Sequence, residues 1–170
     1  MTWTNADGLV VRDGADDVVA PKGTIERAGL QRLVVKLTDA TVLEVNSTDP
    51  FTSASTVAFF DENTPSIPAG SYITRAYLKI DTAFTSGGAA TLDVGLMQAN
   101  GTIVDADGID AALAVATLGA NAVVNCNGAA VGGVVLTSTT LDTYVSFSRV
   151  VGQGPFTAGA ATLVVEYYEF

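Results

Sequence analysis

Hydrophobic and polar positions alternate with a period of two along most of this chain. The clearest stretch is 72–81. Tyr72, Thr74, Ala76, Leu78 and Ile80 fall on one face, and Ile73, Arg75, Tyr77, Lys79 and Asp81 on the other, as in a half-buried β-strand. The same alternation runs through Leu33, Val35 and Leu37, through Leu43 and Val45, and through Leu92, Val94 and Leu96. It returns in Val145 and Phe147 and in Leu163, Val165 and Tyr167. Residues 55–61, with Val57, Ala58, Phe59 and Phe60, are apolar on both faces and predict a strand buried between layers. Val131 to Leu136 predicts a strand with a bulge at Gly132-Gly133. Turn chemistry separates these runs at Thr85–Ala89, Asn100-Gly101 and Gly152–Pro155.

One segment departs from this pattern. Asp105-Ala106-Asp107-Gly108 precedes an alanine-rich run from Ile109 to Leu118, and Gly119 follows. An Asp cap, the alanines and the closing glycine predict a short helix with Ile109, Leu113 and Ala116 on one face. Eight or nine strands, turns about every ten residues and one short helix describe an all-β sandwich, with a jelly roll as the leading form.

The first thirty residues differ from the rest. Asp7-Gly8, Asp13-Gly14 and Pro21-Lys22-Gly23 interrupt two short apolar runs. Residues 1–30 are expected to form an irregular arm or layer with one short strand near 9–12, and residues 31–170 the sandwich. Lys22, Arg27, Arg32 and Lys36 follow the interruptions, with Glu26 the sole acidic residue between positions 20 and 37. Two readings of that stretch stand: a solvated face, or a contact patch for an acidic partner.

Charge narrows the function classes. Eighteen acidic and eight basic residues give a formal charge of −10, and residues 86–170 contain one basic residue, Arg149. Such a chain repels phosphates, which argues against nucleic-acid binding. It has no run of about 18 apolar residues and opens without the basic and apolar regions of a secretory signal. A product of a cytoplasm that stays soluble until it meets its partner is expected, with no membrane contact.

Catalytic chemistry has little to build on. The chain has no histidine and one cysteine, Cys126. Histidine-based triads and an internal disulfide are therefore unavailable, and Cys126 reads as a small buried apolar residue. Asp105, Asp107 and Asp110 resemble part of a calcium loop, but Gly108 falls at the fourth position rather than the sixth and no glutamate closes the loop. A helix cap and solvated loop is the better reading; Asp13, Asp16 and Asp17 read as a solvated turn. A glycosidase needs only two carboxylates, yet one tryptophan offers little surface for sugar stacking. No enzyme, cofactor or metal site is expected.

The opening Trp3-Thr4-Asn5-Ala6-Asp7-Gly8-Leu9-Val10-Val11-Arg12 resembles the start of small virion structural proteins of tailed bacteriophages. So do Ile67–Ile73, Thr85–Leu96, Asp107–Leu113, and Phe156–Gly159 with Val164–Tyr168, so the likeness spans most of the chain. It departs at Arg12-Asp13-Gly14, where an aromatic is expected before the glycine. The resemblance implies a capsid decoration, or cement, protein: a jelly-roll-like sandwich, often trimeric, on the outer surface of the shell, bound to the major capsid protein. On that reading Trp3, Leu9, Val11, Lys22, Arg27, Arg32 and Lys36 form the shell-facing side. A tail, fibre or carbohydrate-binding module with the same sandwich is the competing expectation, favoured if exposed aromatics such as Tyr72 and Tyr77 cluster on a concave face.

Overall fold

A computed structural model of the chain describes residues 2–4, 10–12, 29–39, 43–45, 65–98, 102–133, 142–150 and 154–169. Ten strands are present among them: β1 (Thr2–Thr4), β2 (Val10–Arg12), β3 (Gln31–Thr38), β4 (Leu43–Val45), β5 (Tyr72–Ser86), β6 (Thr91–Gln98), β7 (Ile103–Ala114), β8 (Val123–Cys126), β9 (Thr143–Val150) and β10 (Phe156–Tyr168). Eight of them make two four-stranded sheets, ordered β3-β10-β5-β8 and β4-β9-β6-β7. Neighbours are antiparallel except β4, which joins β9 in parallel. The pairings nest: β3 with β10, β4 with β9, β5 with β8 and β6 with β7.

Alternation explains the sandwich. Leu33 and Leu37 of β3, Ala76, Leu78 and Ile80 of β5, and Leu163 and Val165 of β10 turn inward from the first sheet. Leu92, Val94 and Leu96 of β6 and Val145 and Phe147 of β9 meet them from the second. Most of these side chains are fully buried, and each contributes about 1.5–3 kcal/mol relative to exposure. Phe84 and Phe156 close one part of this core edge to face, with ring centroids 5.4 Å apart. An isolated bridge, Ile67 to Thr143, ties the segment before β5 to β9 through two backbone hydrogen bonds of 2.7 and 2.8 Å.

Bulges account for the departures from simple alternation. Between the pairs Thr91–Ala114 and Met97–Ile103, β6 advances six residues while β7 advances eleven. The surplus bends β7 so far over β6 that a Cβ on Gly95 would collide with the carbonyl of Ala106. The helix expected over 109–118 is therefore corrected: β7 stays extended to Ala114, and only Val115–Thr117 form a single 3-10 turn. Ile109 and Leu113 are both buried. A spacing of four keeps them on one face of a strand as of a helix; at the bulge, where Ala112 adopts φ 52°, the intervening Ala111 is exposed, and the run imitates the helical period.

In β5 the register against β10 shifts between Glu166 and Tyr167. As a result Ile73 is fully buried with Ala76, Leu78 and Ile80, so Tyr72 and Ile73 exchange the faces that strict alternation gives them. Val131–Gly133, the described part of the strand expected at 131–136, is a bend, with Gly132 at φ 68°. The strand β8 was not anticipated. The apolar run 55–61 lies outside the described residues, as does most of the arm. Within that arm β1 and β2 pair as an antiparallel ribbon.

Candidate functional site

The outward face of the first sheet concentrates charge and aromatic side chains. Register places three rows across its strands. Arg32, Glu166 and Arg75 form one; Val34, Val164, Tyr77 and Asn125 the next; Lys36, Thr162, Lys79 and Val123 the third. Half of the chain's eight basic residues, Arg32, Lys36, Arg75 and Lys79, therefore share a face on a chain of formal charge −10. Among the described residues two carboxylates, Glu166 and Asp81, join them there, so the face is locally cationic.

Its polar contacts are mutual. The Arg75 guanidinium donates to Glu166 Oε1 at 3.1 Å and stacks 5.5 Å from the centre of the Tyr77 ring. Arg32 donates to the Tyr77 hydroxyl at 3.2 Å and so reaches across Val164, which is 3% exposed. Lys79 donates to Asp81 at 2.6 Å, and Thr162 donates to the other oxygen of that carboxylate at 2.8 Å. The Lys79 and Thr162 bonds hold the Asp81 carboxyl below its ordinary range. Exposed ion pairs contribute about 0–1 kcal/mol, so these contacts order the surface more than they stabilise the fold. Neither Arg32 nor Lys36 enters an ion pair among the described residues. Tyr72, opposite Tyr168 in register, adds two further aromatic side chains at one end of the sheet.

Of the residues expected at a shell-facing side, Arg32 and Lys36 lie exposed on β3, two positions either side of Val34. Trp3 of β1 pairs in register with Val11 of β2. Leu9, Lys22 and Arg27 lie outside the described residues. Arg75 and Lys79 were missed by sequence reasoning, although they stand on the cleanest alternating strand of the chain.

The acidic residues of β7 make a different environment. Burial, with the Asp107 charge adding to it, raises the Asp93 carboxyl above its ordinary range, and burial with the Asp107 side chain does the same to Asp105. Burial also raises Asp110. No group of three or more metal-ligating side chains is present among the described residues, so Asp105, Asp107 and Asp110 are not brought together as a calcium site. Cys126 is buried and free. Burial and the Asp110 charge push its thiol up to about 12, which leaves almost no thiolate at neutral pH.

An all-β sandwich with a cationic, tyrosine-bearing sheet face is the class that fold and site define. No family model and no curated protein matches the chain. Two solved structures are similar over nearly their whole length. One is a chain of the cyanophage Pam1 capsid asymmetric unit, at 20% identity and a TM-score of 0.48, covering 93% of this chain and 96% of that one. The other is a chain of the capsid of Ralstonia phage GP4, at 16% identity and a TM-score of 0.46, covering 92% and 93%. At these scores neither likeness assigns the chain a role.

Proposed function

We propose that this protein is a structural component of a tailed-phage virion. It sits on the outer surface of the capsid, binds the major capsid protein there and stabilises the shell, without catalysis. The observation that carries this reading is the charge segregation: one sheet face holds half of the cations of a strongly acidic chain, already ordered for contact. The sequence resemblance to decoration proteins supports the same role. Absence of histidine leaves acid–base chemistry near neutral pH without its usual agent. The nested pairing of β3 to β10 supports a jelly roll, which is such a ribbon of eight strands rolled into two sheets; the parallel β4 is its departure. A ligand that binds only the expanded shell stabilises it by mass action, and a trimer would add avidity.

Electron microscopy of the native particle tests the location, with density for this sandwich expected outside the shell. Deleting residues 1–20 is expected to abolish binding to expanded shells while circular dichroism shows the sandwich intact. Undiminished decoration by the truncated chain would remove the arm from the attachment site.

A second reading draws on Tyr72, Tyr77 and Tyr168, which share the outward face. Sugar rings stack on exposed aromatic surface, so a tail or fibre module that binds carbohydrate predicts selective glycan-array binding, lost in Tyr77→Ala.

A further inference from the structure

The outward row of β3 has a composition that the attachment reading alone does not require. Within the strand it runs Arg32, Val34, Lys36, and Leu30 lies just ahead of it. Leu30 and Val34 are 50% and 47% exposed. Aliphatic and cationic side chains therefore alternate along one side of a strand that stands at the edge of its sheet. Across the sheet, Val123 at the far edge is 60% exposed beside Lys79. The two inner cations are neutralised, Arg75 by Glu166 and Lys79 by Asp81. Arg32, bonded to the Tyr77 hydroxyl, and Lys36 enter no ion pair among the described residues and keep their charge for an outside partner.

We infer that the β3 side of this face docks a surface of a different protein in which carboxylates alternate with aliphatic side chains. This rests on the reading of the face as the attachment side and gives the partner its chemistry. Carboxylates would meet Arg32 and Lys36, which point the same way about 14 Å apart along the strand, four residues at about 3.4 Å each. Aliphatic groups between them would cover Leu30 and Val34. A second copy of this chain is a poor occupant, because edge-to-edge pairing of two β3 strands sets cation against cation. Nucleic acid is a poor one as well. Duplex DNA presents a charge about every 1.7 Å, two unpaired cations answer few of them, and the exposed aliphatics find no apolar surface on phosphates.

The test uses the full chain with the two exposed cations reversed together, Arg32→Glu and Lys36→Glu. Binding is measured to expanded shells of the major capsid protein, to polyglutamate and to duplex DNA at two salt concentrations. Asp107→Lys, exposed on β7, serves as the control for net charge, and thermal melting checks the fold. The wild type is expected to bind shells, and polyglutamate more weakly, with salt weakening both. The double variant is expected to lose at least about tenfold in shell affinity while melting as wild type does; Asp107→Lys is expected to bind as wild type does. Shell binding unchanged by the reversal overturns the inference and leaves the attachment reading standing. Wild type that binds polyglutamate but not shells overturns the attachment reading and retains the carboxylate specificity. Binding to neither overturns both, and binding to DNA that the reversal removes overturns the choice of a protein partner. Should the double variant fail to fold, Lys36→Gln alone, a neutral change at an exposed position, is expected to weaken binding and its salt dependence; no change in either overturns the inference.

Discussion

At the scale of single residues, close approach decides more than polarity does. Gly159 sits in β10 at φ 147°, and a Cβ there would fall inside the Phe84 ring. That ring is fixed against Phe156 and cannot yield without opening the core. Gly159→Ala is expected to lower stability by about 2–4 kcal/mol, the sum of backbone strain and overpacking, read as a shift in the urea midpoint. Nothing in the neighbouring residues announces this. Gly159 lies in Thr157-Ala158-Gly159-Ala160, which reads as loose turn sequence, and its constraint comes from Phe84, 75 positions earlier. Cys126 was legible by contrast: a lone cysteine in a chain without histidine belongs in a core, and it is there.

At the scale of elements, legibility followed the regularity of the ladder. Strands β3, β6 and β10 repeat every two residues over enough length to fix their faces, and they hold those faces in the sandwich. β7 defeated the same reasoning because Ala111 is exposed at its bulge, which leaves Ile109 and Leu113 buried four positions apart with nothing buried between them on that face, as in a helix. β8, four residues long with valines on both faces, gave too little pattern to separate from a loop; its pairing with β5 defines it. The bulged β7 also makes a pH prediction. Asp93, Asp105 and Asp110 have carboxyls raised by burial, so the folded protein holds their protons more tightly than the unfolded chain does. Their contribution to stability is present below the ordinary carboxylate value of 3.8 and is lost as pH rises through their raised values. Asp107 adds to the shift of two of them. Asp107→Asn is expected to raise stability at pH 7 by up to about 1 kcal/mol, with the gain shrinking as pH falls to the unfolded carboxylate value. Thermal melts of both proteins at pH 7 and pH 3.5 would show it; an equal gain at both would rule out charge as the cause.

At the scale of the whole molecule, the sheet gathers what the sequence scatters. Lys22 to Lys36 is visible as one basic stretch in the chain, but Arg75 and Lys79 join Arg32 and Lys36 only because β10 inserts between β3 and β5. Pairing of that kind depends on register across about 40 residues and more, which local periodicity does not encode. The all-β class was readable from the two-residue alternation along the chain. The cationic face, the best candidate for function, was readable only in part.

The β1–β2 ribbon has a practical consequence of its own. Its Trp3 is the one tryptophan in the chain, while the sandwich is built with tyrosine and phenylalanine. Tryptophan-selective fluorescence therefore reports on the ribbon. On mixing with expanded shells the emission is expected to shift to shorter wavelength if the ribbon is covered, at a rate that times docking directly. An emission spectrum that stays fixed while particles gain mass would place the ribbon away from the contact. Coverage of the ribbon can thus be followed without labelling the protein.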